Sequence, residues 1–212
     1  MSTRRVWLPI TLLLAWGGCR DAATPPTAPA VAGPTFDNVV FDGSHLLLEA
    51  KQAPPLETYQ VSFWASSDRA SSVVVRYKPV AGQTTGDPFL QFDIPLKGLL
   101  GGAGGVPLLK SDSILITITI DPVTLRANFQ PAGALFSKKL PAKLAIWYEN
   151  ADPDYNQDGK VDSTDDLIRQ NLGIWYQSVQ SAPWYKQWSA NDPSQLYVLA
   201  PIYHFSSYAV SW

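Results

Sequence analysis

The sequence predicts an all-β chain: an antiparallel β-sandwich carrying one short helix after an inserted acidic loop. Two observations carry that expectation. Apolar and polar residues alternate with period two through much of the stretch from Phe36 to Trp212, as in strands with one buried and one wet face. The chain is also 12% aromatic and only 16% charged, a composition that suits half-buried pleated surfaces and argues against disorder. With 212 residues, 46% of them hydrophobic, it can fill a sizeable core. A net charge of −2 supplies no field for a polyanion, so nucleic acid is not an expected partner.

Taken in order, the chain opens with an export signal. Arg4 and Arg5 precede an almost wholly apolar run, Val6 to Ala15, and then Gly17, Gly18 and Cys19. Residues 1–18 therefore read as a signal peptide, too short to span a bilayer permanently. Cys19 is the chain's single cysteine, and its setting resembles the lipobox of bacterial lipoproteins, although Trp16 stands where that family usually has an aliphatic residue. The resemblance implies acylation of Cys19, a membrane anchor, and residence in the cell envelope, in the periplasm or at the cell surface. With that thiol consumed no disulfide is available, and the core alone must hold the fold. Residues 19–35 read as a tether, and its 15 residues from Asp21 to Thr35, rich in Ala, Thr and Pro, reach on the order of 45 Å when extended at ~3.1 Å each.

From 36 to 212 the expected domain is a succession of strands. Tyr59, Val61 and Phe63 alternate with Gln60, Ser62 and Trp64; Val73, Val75 and Tyr77 follow, then Leu90, Phe92 and Ile94 against Gln91 and Asp93. In the cleanest strand Ile114, Ile116, Ile118 and Ile120 share a face, with Thr117 and Thr119 opposite. Such β-branched residues fit a sheet better than a helix. Ala127 and Phe129, then Leu144, Ile146 and Tyr148, continue the pattern, and 174–179, 184–188, 196–203 and 208–212 complete it. The glycine-rich stretch 98–105 lacks the Gly-Lys-Ser/Thr ending of a phosphate-binding loop and reads as a flexible connection between strands.

The most specific stretch lies at 152–172. Seven of the chain's 18 acids, Glu149, Asp152, Asp154, Asp158, Asp162, Asp165 and Asp166, fall between 149 and 166, where Lys160 is the only base. Counting from Asp154, oxygen-bearing side chains stand at positions one, three and five (Asp154, Asn156, Asp158), glycine at six (Gly159) and a backbone carbonyl at seven (Lys160). Asp162 falls at nine and Asp165 at twelve. Calcium prefers this all-oxygen set, and the glycine permits the sharp turn. Val161, at position eight, is expected to fold against the core. Leu167, Ile168 and Leu172 lie at helical spacing with Gly173 after them, predicting a short amphipathic helix. The run Asp158-Gly-Lys-Val-x-Ser-Thr-Asp165 resembles the calcium repeat of dockerins, which shares its Asp where most EF-hands have Glu. Dockerins carry two such repeats and this chain one, which favours an ion-stapled insertion between strands over a docking module.

Farther on, Phe129-Gln-Pro131-Ala-Gly133-Ala-Leu-Phe136, Pro141-Ala-Lys-Leu144 and His204-Phe-Ser206-Ser-Tyr208 resemble a family of exported bacterial β-sandwich proteins. That family is similar in turn to the domain shared by zonula occludens scaffolds, netrin receptors and ankyrins. The resemblance spans about residues 55–212 and implies a sandwich used for interaction rather than turnover. Some relatives of that domain cut themselves at His-Phe-Ser, which would make Ser206 a nucleophile on the Phe205 carbonyl and His204 its base. Trp184, Tyr185 and Trp188, set among polar residues, offer a third possibility, an aromatic platform for sugar rings. The sequence thus predicts a calcium-binding, lipid-anchored module with a protein or glycan partner in the cell envelope, and not an enzyme. Self-cleavage between Phe205 and Ser206 and glycan binding through Trp184 and Trp188 are the alternatives.

Overall fold

The computed structural model describes residues 40–41 and 43–212. The expected signal peptide, the lipidation site Cys19 and the tether lie outside the described residues. The chain forms β1 (Val40–Phe41), β2 (Gln60–Ser66), β3 (Ser71–Arg76), β4 (Pro88–Ile94), β5 (Leu99–Gly101), β6 (Ser113–Ile120), β7 (Ala127–Gln130), β8 (Leu135–Phe136) and β9 (Ala142–Trp147). Helix α1 (Ser163–Asn171) follows, then β10 (Gly173–Gln177), β11 (Trp184–Lys186), β12 (Ala190–Asp192), β13 (Tyr197–Ile202) and β14 (Ser207–Ser211). Seven strands make one sheet in the order β1-β11-β10-β14-β7-β6-β2, five make a second in the order β12-β13-β9-β4-β3, and β5 pairs with β8. Every pairing is antiparallel. The expected all-β sandwich with one short helix is what the chain adopts.

Period-two alternation sorts each strand between core and solvent. Ile116, Ile118 and Ile120 of β6 are buried, while Thr117 on the other face shares a 2.8 Å hydroxyl hydrogen bond with Ser62 of β2. The sheets meet over an aromatic cluster: Phe92 of β4 lies 5.0 Å from Phe129 of β7 between ring centroids, and Phe205 lies 5.3 Å from Phe129 and 5.1 Å from Phe136. Each such ring contributes roughly 1.5–3 kcal/mol by burial, which is how a chain with no disulfide available holds its sheets together. A second cluster joins Leu46, Trp175, Trp184 and Ala209. Trp175 and Ala209 there alternate with Ile174, Tyr208 and Val210 of the main core, so this cluster sits on the opposite face of the seven-stranded sheet. The segment before β2 is tied beside it by Leu47 N–H donating to the Val210 carbonyl at 3.1 Å and Ser211 Oγ–H to the His45 carbonyl at 2.6 Å.

The glycine-rich stretch is more ordered than a plain connection. Leu99 of β5 is fully buried, and Gly104 N–H donates to the Ala132 carbonyl at 2.9 Å. Gly133 has φ +78°, and a Cβ there would lie 3.0 Å from the Gly104 Cα. Glycine on both sides lets two backbones touch.

One connection positions the candidate site. β9 belongs to the five-stranded sheet and β10 to the seven-stranded one, so residues 148–172 carry the chain across from one sheet to the other. The acidic loop and α1 are this crossing.

Candidate functional site

The loop's side chains fold back on its own backbone. Asp154 accepts at Oδ1 from Asp158 N–H (3.1 Å) and at Oδ2 from Gly159 N–H (2.8 Å). Asn156 Oδ1 accepts from the same Asp158 N–H at 3.0 Å, and Asp158 Oδ1 from Lys160 N–H at 2.9 Å. Gly159 has φ +87° and open space where a Cβ would stand, so backbone strain, not crowding, selects glycine there. Asp165 closes the ring: its Oδ1 accepts from Tyr155 N–H at 2.7 Å and its Oδ2 from Asp162 N–H at 2.9 Å. Positions two, nine and twelve are thereby joined through one carboxylate.

Asp165 is only 3% exposed. The N–H of Asp162, foremost, with those of Tyr155 and Asn156, holds its carboxyl below the usual carboxylate range despite the opposing effect of desolvation. Among the described residues the ion pairs are Arg126 with Asp121 and Arg169 with Asp166. Asp154, Asp158, Asp162 and Asp165 therefore crowd one loop with no basic side chain matched to them. In this arrangement no group of three or more His, Cys, Asp or Glu among the described residues is gathered as a metal site, because the carboxylates turn toward backbone N–H groups. The donor chemistry nevertheless fits calcium. A carboxylate oxygen that accepts one N–H keeps a second lone pair, and Asn156 Oδ1 and the Lys160 carbonyl complete an all-oxygen set of the kind calcium takes.

Helix α1 starts where the loop ends. Asp162 is its N-cap, accepting from Thr164 N–H at 2.8 Å, and Asp165 returns the bond to the cap's own N–H, a reciprocal capping box. Asp165 thus closes the loop with both oxygens and caps the helix with one of them, Oδ2. The far end of α1 is tied to β12 and, through it, to the residue after β9: Asn191 Nδ2–H donates to the Arg169 carbonyl at 2.7 Å and receives Tyr148 O–H at 3.0 Å on Oδ1. Burial pushes the Tyr148 phenol up to about 12, so it stays a donor across the physiological range. At the entry, Asp152 N–H donates to the Leu48 carbonyl at 2.8 Å and Ala50 N–H to the Asn150 carbonyl at 3.0 Å.

Two expectations about the crossing need correction. Val161 is 65% exposed and Leu167 is 61% exposed. The apolar contacts come instead from Tyr155, Leu172 and the half-buried Ile168, which join the main core. Loop closure through Asp165 turns the Tyr155 ring inward at position two and leaves position eight on the outer rim. A tyrosine among aspartates and asparagine was the available signal for this in the sequence; nothing there marked Asn191.

The segment His204-Phe205-Ser206 stands immediately before β14. Ser206 Oγ lies 3.0 Å from His204 Nδ1, and Ser206 is buried. Phe205 N–H donates to the Ala134 carbonyl at 3.0 Å, Phe129 N–H to the Ser206 carbonyl at 3.1 Å, and Tyr208 O–H to the His204 carbonyl at 2.6 Å. Burial pushes the Tyr208 phenol well up, keeping that proton in place. A cavity of about 380 Å³ adjoins Ser206, with Arg126, Asn128 and Gln177 on its wall.

The three aromatics expected to form one platform do not. Trp184 is 3% exposed inside the second cluster, Tyr185 stacks on Tyr176 with centroids 5.6 Å apart, and only Trp188, 56% exposed, presents most of its surface to solvent.

No protein-family model, curated protein or solved structure matches this chain significantly.

Proposed function

We propose that the protein is a calcium-stabilised binding or structural module, tethered to the cell envelope through a lipid on Cys19, in which the ion braces the crossing between the two sheets. The observation that carries this reading is the closure at Asp165: a buried carboxylate, held below the usual range by backbone N–H groups, closes a loop that carries three other aspartates with no ion-pair partner among the described residues. Their mutual repulsion favours a divalent cation on the remaining oxygen lone pairs. The ion serves as a staple and not as a sensor, since the crossing is pinned at entry and exit by hydrogen bonds that do not involve the ligand side chains.

Extracellular calcium modules bind at ~10⁻⁴–10⁻³ M. At ~1 mM calcium over a ~0.1 mM dissociation constant, linkage stabilises the fold by about 1.4 kcal/mol, which for a domain of this size raises Tm by roughly 3–6 °C. Scanning calorimetry with calcium and with excess chelator tests it. The wild-type chain is expected to show that shift and Asp158→Ala to lose it; an unchanged calcium response in the variant removes the assignment. Cys19→Ser is expected to move the protein from the membrane fraction to the soluble one.

The 3.0 Å contact between Ser206 and His204 favours a second reading, self-cleavage. The Ser206 hydroxyl would add to the Phe205 carbonyl carbon, its proton passing through His204 to the departing Ser206 nitrogen as the Phe205–Ser206 C–N bond breaks. The resulting ester would then take up water, leaving a Phe205 carboxylate and a free Ser206 amine. β14 would stay in place by its pairing with β10 and β7. Intact mass after hydroxylamine treatment, with Ser206→Ala as control, decides it: an uncut wild-type chain excludes this reading and leaves the calcium reading untouched.

A further inference from the structure

We infer that a cleft beside the His204 ring is a saccharide-binding site. The cleft measures about 570 Å³ and is lined by Tyr176, Lys186, Gln187, Trp188, Tyr203 and His204, with Pro201 at its margin. That volume lies within the ~300–1,000 Å³ of small-ligand sites.

The site is built from both sheets. Tyr176 comes from β10, Lys186 ends β11, and Tyr203 and His204 follow β13. Gln187, next after β11, fixes the seam: its N–H donates to the Ile174 carbonyl at 2.8 Å and its Nε2–H to the Pro201 carbonyl of β13 at 2.9 Å. Tyr176 is held between the stacked Tyr185 ring and the edge-on His204 ring, whose centroid is 5.2 Å away. Trp188 is 56% exposed and Tyr203 38%, so one cleft offers two open aromatic surfaces beside a braced third.

That pattern matches a sugar's surface. A pyranose has an apolar C–H face that packs on an aromatic ring and a rim of hydroxyls that needs polar partners. Here the partners are the Gln187 amide, the His204 imidazole and the tyrosine hydroxyls. Rigid rings also reduce the ordering cost of binding. Lys186 also lines the cleft, but its strand partner is Trp175 and its Nζ stands 5.5 Å over that ring, on the opposite face of the sheet from Tyr176 and Tyr185. Stacking and neutral hydrogen bonds, not a charge on Lys186, therefore carry the recognition. The inference does not rest on the calcium loop, none of whose ligands lines the cleft.

Isothermal titration of the full chain with hyaluronan hexasaccharide, which carries uronates, and with neutral chitohexaose tests the proposal, each run with calcium and with chelator. Both are expected to bind, with no preference for the charged sugar. Trp188→Ala and Tyr203→Ala should each weaken both about tenfold, as losing one stacked ring of roughly 1.4 kcal/mol implies, and Lys186→Gln should change neither. Because Trp188 and Tyr203 are exposed, these variants keep the wild-type Tm. Binding of neither, isotherms unchanged by both aromatic substitutions, or displacement by a proline-rich peptide in their place overturns the site. Loss of the calcium shift in Tm with an intact hyaluronan isotherm would strike only the calcium reading.

Discussion

The loop from Asp154 to Asp165 and the segment from His204 to Ser206 both hold their polar side chains in short-range hydrogen bonds, the first to backbone and the second to each other, in opposite surroundings. In the loop, the Asp154 carboxylate accepts N–H bonds on an outer rim, with Val161 and Leu167 exposed, while among the loop carboxylates Asp165 alone is buried. At His204 to Ser206 a hydroxyl and an imidazole flank a phenylalanine in the aromatic heart of the sandwich. The first region joins the core through Tyr155, so most of it can shift without opening the core, which is what would let an ion act on its stability. The second is fixed by packing, so its chemistry has to work within a rigid frame or not at all.

The largest expected effect breaks the comparison at its buried end. Phe205 touches Phe92, Phe129 and Phe136, and Phe205→Ala should cost ~3–5 kcal/mol through lost burial and the cavity left behind. Urea denaturation measures it, and the loss should be the same with calcium or chelator. A loss that calcium reverses would mean that the two regions are coupled.

At the other end, Asp162→Ala removes the N-cap of α1 and should cost about 1 kcal/mol even in chelator, since Thr164 N–H loses its acceptor in either case. Asp162→Asn keeps an oxygen cap and should recover most of that stability in chelator while still lowering calcium affinity. The pair separates what the helix needs from what the ion needs; equal losses in both variants would show that capping contributes nothing.

A smaller effect comes from Asp121, outside both regions. Its Oδ1 accepts from Thr124 N–H at 2.8 Å and Val123 N–H at 2.9 Å, and these bonds, that from Thr124 foremost, hold its carboxyl below the usual range. A carboxyl that titrates lower when folded contributes stability that is full above its unfolded value, near ~3.9, and is lost as pH falls through the folded one. In chelator, acid denaturation of Asp121→Ala should therefore be shallower than that of the wild-type chain below about pH 4. Equal slopes would mean that this turn adds nothing to acid sensitivity.

Much of this organisation was legible in the sequence because it is local. Every stretch with sustained alternation became a strand, and the spacing of Asp154, Asn156, Asp158 and Asp165 anticipated a closed loop before a helix. What escaped was set by partners far along the chain. β1, β5, β8 and β12 are two or three residues each, too short to show a period, and exist because β11, β13 and each other supply hydrogen bonds. Trp184 and Trp188 show the same limit. Residues four apart on one strand would share a face, but β11 ends at Lys186, so Trp184 is buried while Trp188 swings out to the cleft.

The smallest expected effect is the sharpest test of how the crossing sits. Val161 occupies the position at which an ion loop packed on a core would bury an apolar side chain, yet here the inward residue is Tyr155. If the loop is a braced rim, Val161→Ser and Leu167→Ser should each change stability by no more than ~0.5 kcal/mol, as exposed substitutions do, with the calcium shift in Tm intact. Tyr155→Ala should cost several times more, because it empties a place in the core. A large loss at Val161 in calcium but not in chelator would mean that ion binding draws position eight inward, and the crossing would then be a switch and not a staple.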